Sequence, residues 1–567
     1  MDPPSVRHVL EQIAACLELR GENPFRVRAY QNAAQIIAGY SGDLAEGLTS
    51  GALRGTRGIG PGTLEILREF HATGRSSLLD ELHDQIPPGV VEMLRIPGLG
   101  VARVRQIHEQ LHLESLAELD EAAVDGSLAK LPRFGAKTAE SVRKGIALLR
   151  RSSEFRLFHH ALAEAESVRR VLAALDGVER VEIAGSVRRR CEVIRDIDLV
   201  AVHGGPAARD ALVKRLGEVP GVTELAGKQG AVTLRFESGT VIDVFLAAPD
   251  ELGVAWVRAT GSAAHWAELE ARGRALGVAL GPGFADEAAV YRALGLAWVP
   301  PELREGTGEC DAAARGALPR LVDQKDLQGF LHCHTTYSDG TATVAEWARA
   351  AREAGYAWIG ITDHSEAAVY AGGLRADDVE RQHAEIDEVN RTAGAAGCRV
   401  LKGVEADILA DGALDYGPAL LGRFDFVIGS IHSRFAMGER EMTERVLKAM
   451  ADPHLAILGH PTGRQLLSRE PYALDVEQVL ARAAETGVAL EVNADPHRLD
   501  LDWRLVRRAR ERGATIAIGA DAHSLAAMAN VAVGVGIARK GWLEARHVLN
   551  ARDAEGFLAF ARGRRPA

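Results

Sequence analysis

Side chains that bind metals recur through the C-terminal part of the chain. They are His332-x-His334 with Asp339 just beyond, Asp363-His364, Glu405, His432, His460-Pro461, Asn493 and Asp521-x-His523. Imidazole and carboxylate ligands together suit Mn²⁺ or Zn²⁺. A hydroxide held on such a metal can attack a phosphoester at neutral pH, with neighbouring metals stabilising the charge that develops. A second set lies upstream, where Gly185-Ser186-Val187-Arg188-Arg189-Arg190 precedes Asp196-Ile197-Asp198. Residues i and i+2 of a strand share a face. Asp196 and Asp198 therefore project together and repel each other unless cations sit between them. Mg²⁺ fits, since it binds through one or two carboxylates plus substrate phosphates. The Gly-Ser turn can offer N–H groups and a hydroxyl to such a phosphate, and the arginines neutralise its charge. Asp243 stands among apolar residues at 241–245, and a buried unpaired carboxylate is costly. On a strand beside the Asp-x-Asp pair it completes a three-carboxylate, two-metal site for in-line displacement at phosphorus.

The elements that must position these residues follow from the spacing. Apolar strands at 329–332, 358–362, 400–404, 426–431, 456–458, 488–492 and 515–518 alternate with helical stretches. That rhythm predicts βα units in a parallel sheet or barrel. Barrel enzymes carry their chemistry at the C-terminal strand ends, and nearly every one of these strands ends in a ligand type. One histidine in such a place is usually hydrogen-bonded structure. Six of them with three acids, at successive strand ends, point to a metal centre. Cys333 points away from it in an H-x-H strand, while His383, His454 and His497 fall outside the pattern and read as surface residues. Upstream, a helix at 161–174, a strand at 181–184 and a hairpin, 233–236 to 241–245 through a Glu237-Ser238-Gly239-Thr240 turn, set Asp243 beside Asp196 and Asp198.

The first third repeats a different unit. Gly58-Ile59-Gly60-Pro61-Gly62, Pro97-Gly98-Leu99-Gly100 and Pro132-Arg133-Phe134-Gly135-Ala136-Lys137 each precede a helical stretch. Each reads as helix, tight turn, helix, with the second helix presenting its N-terminal N–H groups to an anion. Length and charge frame these readings. A chain of 567 residues is too long for one core, so three or more domains are expected. A net charge of −11 confines any nucleic-acid binding to local patches. One such patch runs over 130–151, where Lys130, Arg133, Lys137, Arg143, Lys144, Arg150 and Arg151 face the single acid Glu140. Five cysteines without C-x-x-C spacing predict a reducing compartment without structural disulfides. No apolar run approaches membrane-spanning length and the N-terminus lacks a signal-peptide core, which predicts a cytoplasmic protein with no membrane partner.

Taken together, Gly185-Ser186-x-Arg188-Arg189, Asp196-x-Asp198 and Asp243 resemble the palm of the family X DNA polymerases. Thr260-Gly261-Ser262 resembles that family's nucleotide-contacting turn, and 300–305 (Pro-Pro-Glu-Leu-Arg-Glu) the segment closing the thumb in bacterial members. The three hairpins resemble helix-hairpin-helix elements, which grip DNA phosphates without reading bases. The last part, 326–567, resembles the PHP (polymerase and histidinol phosphatase) domain, a seven-stranded barrel with a trinuclear metal centre. The resemblance implies helical domains at 1–85 and 86–150, a palm at 151–253, a thumb at 254–317, a linker at 318–325 and the (β/α)7 barrel at 326–567.

The resemblance also implies roles. Asp196 and Asp198 would bind both palm metals, Mg²⁺ or Mn²⁺, and Asp243 would assist deprotonation of the primer 3′-hydroxyl. Gly185, Ser186, Arg189, Thr260, Gly261 and Ser262 would hold a deoxynucleoside triphosphate. Gly58, Gly60, Gly62, Gly98, Gly100, Arg133, Gly135 and Lys137 would hold gapped or nicked DNA. In the barrel one metal would take His332, His334, Glu405 and Asp521, a second Glu405, His432 and His460, and a third Asp339, His364 and His523. The implied activity is gap-filling DNA synthesis in repair with 3′–5′ exonuclease or phosphoesterase action in the barrel. Three departures qualify it. No lysine occurs in residues 1–129, and Ile66 stands where lyase-competent members carry the amine needed for a Schiff base. Arg258-Ala259 replaces the usual Tyr-Phe pair, and Trp266 the usual asparagine, which implies altered sugar selectivity.

Overall fold

In the computed structural model, which describes residues 3–38, 44–56, 58–96, 98–152, 154–219, 221–228, 230–236, 239–394 and 397–563, the chain divides into two units, Met1–Glu154 and Phe155–Ala567. Pro97, Glu237, Ser238 and the side chain of Arg151 lie outside the described residues. Among the described residues no helix is long and apolar enough to cross a membrane.

The first unit is helical, and its three hairpins are built alike. A residue in the left-handed region comes first: Gly58 (φ 94°), Gly98 (φ 85°) and Arg133 (φ 67°). A buried apolar plug follows, Ile59, Leu99 or Phe134, whose N–H closes the turn on Thr56, Ile96 or Leu131. Burying such a side chain stabilises the turn by roughly 1.5–3 kcal/mol. Next comes a glycine, Gly60, Gly100 or Gly135, whose carbonyl accepts the first helical bond, from Leu64, Val104 or Ala139. The helices so started are Pro61–Thr73, Val101–Leu111 and Ala136–Ser152. Their inner faces meet in one core that includes Leu10, Ile13, Leu67, Met93, Ile107 and Ile146.

The second unit begins with β1 (Arg156–Leu157), β2 (Val178–Ile183), β3 (Val193–Ile194), β4 (Ile197–His203), β5 (Val222–Lys228), β6 (Ala231–Phe236) and β7 (Val241–Ala247). Five of these form a sheet ordered β2-β4-β7-β6-β5, in which only β4 and β7 are parallel. Alternation divides its faces. Ile197, Leu199, Ala201, Ile242 and Val244 pack against the helices Phe158–Ala173 and Pro206–Leu216. Asp198, Val200 and Val202 take the other face, where Val200 and Val202 meet Leu252 and Ala259 of the helix Leu252–Thr260. That helix leads into a smaller core of Val257, Leu269, Tyr291, Leu294 and Val299.

Residues 318–325 are packed rather than loose. Leu321 joins this smaller core, and Val322 joins the barrel core and donates its N–H to Leu543 O. The barrel strands are β8 (Gly329–Cys333), β9 (Trp358–Ile361), β10 (Arg399–Asp407), β11 (Phe426–Ser430), β12 (Leu455–Leu458), β13 (Ala489–Asn493) and β14 (Ile516–Ala522). All pair in parallel and close into one ring in chain order, with β14 beside β8. Their central residues are buried on both faces, as parallel strands covered by helices require.

Candidate functional site

Seven strand ends converge on one cluster of histidines and acids at the barrel mouth. Glu405 stands at its centre: its Oε1 lies 3.3 Å from His332 Nε2, 3.4 Å from His432 Nε2 and 3.0 Å from His460 Nε2. Its Oε2 lies 3.0 Å from His364 Nδ1 and 3.7 Å from His334 Nε2. Asp521 Oδ1 approaches His334 Nε2 at 3.3 Å and His332 Nε2 at 3.6 Å. Asp339 Oδ1 is 3.4 Å from His523 Nε2, 3.7 Å from His364 Nε2 and 3.8 Å from His334 Nδ1. The structure thus brings together all nine ligand residues expected of the barrel. Three groups have donor spacings that suit one cation each: His332, His334 and Asp521; His364, Glu405 and His432; and His334, Asp339, His364 and His523. His364 therefore borders two groups, whereas the family resemblance gave it to one.

The donors fit metal ions by their own chemistry. His332 Nε2, both nitrogens of His334, His364 Nδ1, Glu405 Oε2 and His460 Nδ1 are buried without a hydrogen-bond partner. Orphaned buried polar atoms are costly, and several converging on one space fit a cation. Burial alone would raise the Glu405 carboxyl, yet His332, His364 and His432 hold it well below its ordinary range. Burial likewise opposes ionisation of Asp521, and His332, His334 and Arg498 hold it far down. His432 is pushed up to about 10, because Glu405 and Asp407 outweigh its burial. His334 is pushed down to about 4 by burial and by its neighbour His364.

Outer residues lock these rings, and some of them the sequence pattern did not reveal. His332 Nδ1 donates to Glu491 Oε1 at 2.5 Å, and Glu491 Oε2 also accepts the His460 N–H at 2.7 Å. His432 Nδ1 donates to Asp407 Oδ1 at 2.7 Å. Each contact turns Nε2 toward the centre and fixes the tautomer. Glu491 needs the close approach of β14, where a Cβ on Gly519 would lie 1.9 Å from Glu491 Oε1. Asn493 is a support rather than a ligand: its Nδ2 donates to Asp521 Oδ2 at 3.0 Å. Asp363 accepts from Thr335, Ser338 and Gln382 and so braces the loops. His332 (φ 61°), His460 (φ 26°) and Asp521 (φ 49°) adopt left-handed backbone. Register shifts in β8 and β14 accompany two of them, re-aiming side chains out of strict alternation. Cys333 faces the barrel core. His383, expected at the surface, is instead buried against Phe424 with ring centroids 5.0 Å apart. Burial first, then Lys402, pushes it down to about 4.

The palm site is built from register. Asp198 on β4 lies directly opposite Asp243 on the parallel β7, so the two carboxylates share one face of the sheet, and Asp196 directly precedes β4. Asp243 is buried but not alone, since Thr233 Oγ1 on β6 donates to its Oδ1 at 2.5 Å. Gly185-Ser186-Val187-Arg188 forms a four-residue helical turn rather than an open loop. Gly185 has φ 58°, and a Cβ there would lie 1.8 Å from Asp198 Oδ2, so only glycine lets turn and carboxylate meet. Ser186 Oγ is buried without a partner beside them. Arg189 reaches across to the expected nucleotide turn, its Nη1 donating to Thr260 O at 2.7 Å and its Nε to Glu305 Oε1 at 3.0 Å. The Thr260 hydroxyl accepts from Arg188 Nη1 at 2.8 Å, while Ser262 caps the helix Ala263–Leu276. Arg188 and Arg304 both grip Glu287, at 2.6–2.8 Å and 2.6–3.0 Å.

In the helical unit Gly60, Gly98, Gly100 and Gly135 would meet nothing within 4 Å if given a Cβ. At Gly60 and Gly100 the backbone is ordinary as well, with φ of −85° and −75°, so neither strain nor internal packing calls for glycine there. The basic patch is smaller than its sequence. Asp120 pairs with Arg150 at 2.8 Å and lies 3.9 Å from Arg143, and Lys144 pairs with Glu140 at 3.1 Å, so acids offset part of its charge, while Lys130, Arg133 and Lys137 are exposed at its start.

Comparison with known proteins matches these regions one by one. Residues 1–76 match the helix-hairpin-helix domain family, 90–147 the SAM-like helix-hairpin-helix tandem and 331–495 the PHP domain. The DNA polymerase/3′-5′ exonuclease PolX of Bacillus subtilis is 33% identical over 98% of this chain and 99% of its own. The chain belongs to the bacterial family X DNA polymerases. The chain is also similar to a probable phosphatase of Thermoanaerobacter sp., 30% identical over 34% of this chain and 77% of that protein. The chain carries helical hairpins, a mixed α/β region and a seven-stranded barrel that matches the PHP domain.

Proposed function

We propose that this family X member fills short gaps during DNA repair and trims 3′ ends with its PHP barrel. The observation that carries the reading is the presence on one chain of two separate phosphate-chemistry centres. One is the in-register Asp198 and Asp243 beside Gly185; the other is the nine-ligand cluster around Glu405. With ions bound, Mg²⁺ or Mn²⁺ in the palm and Mn²⁺ or Zn²⁺ in the barrel, each centre gains a Lewis acid, and the barrel a hydroxide nucleophile.

The chain's own residues supply the rest. Asp243 takes the primer 3′-hydroxyl proton, held in place by Thr233. Ser186 and Arg189 hold the triphosphate, with Thr260, Gly261 and Ser262 behind it. Glu491 and Asp407 keep the imidazoles of His332 and His432 aimed inward. Gly60, Gly62, Gly100 and Gly135 let a DNA backbone come close to helix N-termini, flanked by Arg133 and Lys137. Gly58 and Gly98 shape the turns beneath them. The domains divide as 1–85, 86–150, 151–253, 254–317 and 326–567, joined by 318–325. The absence of lysine from 1–129 argues against Schiff-base lyase action. Arg258 lies 5.8 Å over Trp266 and Ala259 is buried, so no aromatic pair precedes the turn, which favours weak discrimination between ribose and deoxyribose. Primer extension on gapped DNA with deoxynucleoside and nucleoside triphosphates, alongside 3′-end release, tests the whole reading. A wild-type chain that extends nothing would remove the polymerase assignment.

A further inference from the structure

The mouth of the barrel carries an apolar feature that metal ligation does not use. After β9 the chain turns through a short 3₁₀ helix, Val369–Ala371, that leaves Val369 81% and Tyr370 70% exposed. Single exposed apolar side chains are ordinary; the position of this pair is not. The Tyr370 ring centroid lies 6.1 Å from that of His364 and 6.2 Å from that of His432, at the rim of the metal cluster. Leu525, two residues beyond His523, is a third exposed apolar side chain, at 37%. The loop is fixed rather than loose. Ala367 N–H donates to Asp415 Oδ2 at 2.8 Å and Leu374 N–H to His364 O at 2.9 Å. Gly373 sits so close that a Cβ would lie 1.9 Å from Ser365 O. An aromatic face is thus held toward solvent beside the reacting centre, with a rigid backbone behind it.

The direction of approach follows from the ring of strands. β9 lies three strands from β12 one way and three from β13 the other, so its loop faces theirs across the mouth. The loops after β12 and β13 are covered by the palm: Arg464 pairs with Glu192 at 2.9 Å, and the His497 ring centroid lies 5.4 Å from that of His159. The ligands most open to solvent are Asp339 and His523, with 35% and 41% of their side chains exposed. A DNA strand reaching the metals therefore passes the β9 side.

We propose that Tyr370 is a specificity-determining residue of the barrel nuclease, stacking on the base of the 3′-terminal nucleotide so that the site favours ends that carry a base. Every base offers a π face, so such stacking is indifferent to sequence, and a terminal base has one face that no neighbouring base covers. The inference rests on the ligand assignment made above. It is tested with the full chain loaded with Mn²⁺, measuring kcat/KM for release of the 3′ nucleotide. The substrates are single-stranded DNA with a normal end and the same strand ending in an abasic nucleotide. Tyr370→Ala should lower kcat/KM on the normal end on the order of tenfold, the usual scale of one lost base–aromatic stack. It should leave the abasic end unchanged, and Tyr370→Phe should restore the normal end. Equal loss on both ends, loss on neither, or failure of phenylalanine to restore would each overturn the proposal. His334→Ala is the separate control. Release that persists in it would overturn the ligand assignment itself, whatever Tyr370 does.

Discussion

The two candidate centres of this chain differ in how much of each exists before a substrate arrives. In the barrel most of the candidate ligands are buried, several of their inward atoms lack protein partners, and outer carboxylates already fix the rings of His332 and His432. In the palm only the carboxylates are set, by the register of β4 and β7. Of the residues expected to hold the triphosphate, Ser186 has a buried Oγ without a partner, whereas Arg189 is engaged with Glu305 and Thr260, and its neighbour Arg188 with Glu287. The difference teaches that a site can be preorganised by its own strands or borrowed from a joint between elements. Those palm contacts join three parts of the second unit. Glu305 also meets the buried Lys540 of the barrel, whose Nζ donates to Arg189 O at 3.2 Å as well.

Substitutions separate the two modes. The largest effects fall on the carboxylates and imidazoles themselves. Glu405→Ala, which removes the residue shared by the most histidines, should abolish 3′-end release and leave primer extension intact; loss of both would mean the centres are not independent. Asp198→Ala should do the reverse, measured in the same two assays. Next comes the joint. Glu287→Gln leaves the buried Arg304 and the half-buried Arg188 without their counter-charge, at a cost of about 3 kcal/mol, read as a lower unfolding midpoint in denaturant. Burial opposes ionisation of Glu287, but hydrogen bonds from Arg188 and Arg304 lower it to about 2. A carboxyl depressed on folding contributes stability above its unfolded value near 4.5, and that contribution is lost as pH falls toward 2. The gap between wild type and Glu287→Gln should therefore be full at pH 7 and shrink as the pH falls below about 4.5; a gap that does not change with pH would exclude the ion-pair explanation. Glu491→Gln tests preorganisation in the barrel, with metal affinity expected to fall about 10- to 100-fold by titration. The smallest effect belongs to Thr233→Val, which removes one hydrogen bond to Asp243 and should slow extension by roughly tenfold or less. No change there would show that Asp243 needs no support.

How much of this the sequence carried depends on the distance between partners. The convergence of the nine candidate ligands of the barrel was legible because βα repetition puts each one near the end of its unit, and parallel strands bring all their C-terminal ends to one mouth. Glu491 and Asp407 were not, because an acid on an apolar strand looks like any other, and its role depends on which ring it meets across the barrel. His383 was misread as surface for a related reason. Its helix, Ala376–Ala393, turns that residue inward onto Phe424, a contact between elements that spacing within one helix does not specify. The hairpins were legible from local glycines. Asp120, which neutralises part of the basic patch, sits in a different helix, Leu116–Val124, from its partners.

By itself the sequence determined the ligand types, the strand and helix periods and the glycines that turns require. These depend on backbone sterics and on chemistry within a few residues. Only the tertiary structure decided which carboxylate faces which imidazole, that Asp198 stands level with Asp243, and that Arg189 is held by Glu305 and Lys540. The Asp198–Asp243 and Arg189–Lys540 pairings join residues 45 and 351 positions apart. They are settled by strand register and by the packing of whole elements, where a shift of one residue would turn each side chain to the opposite face.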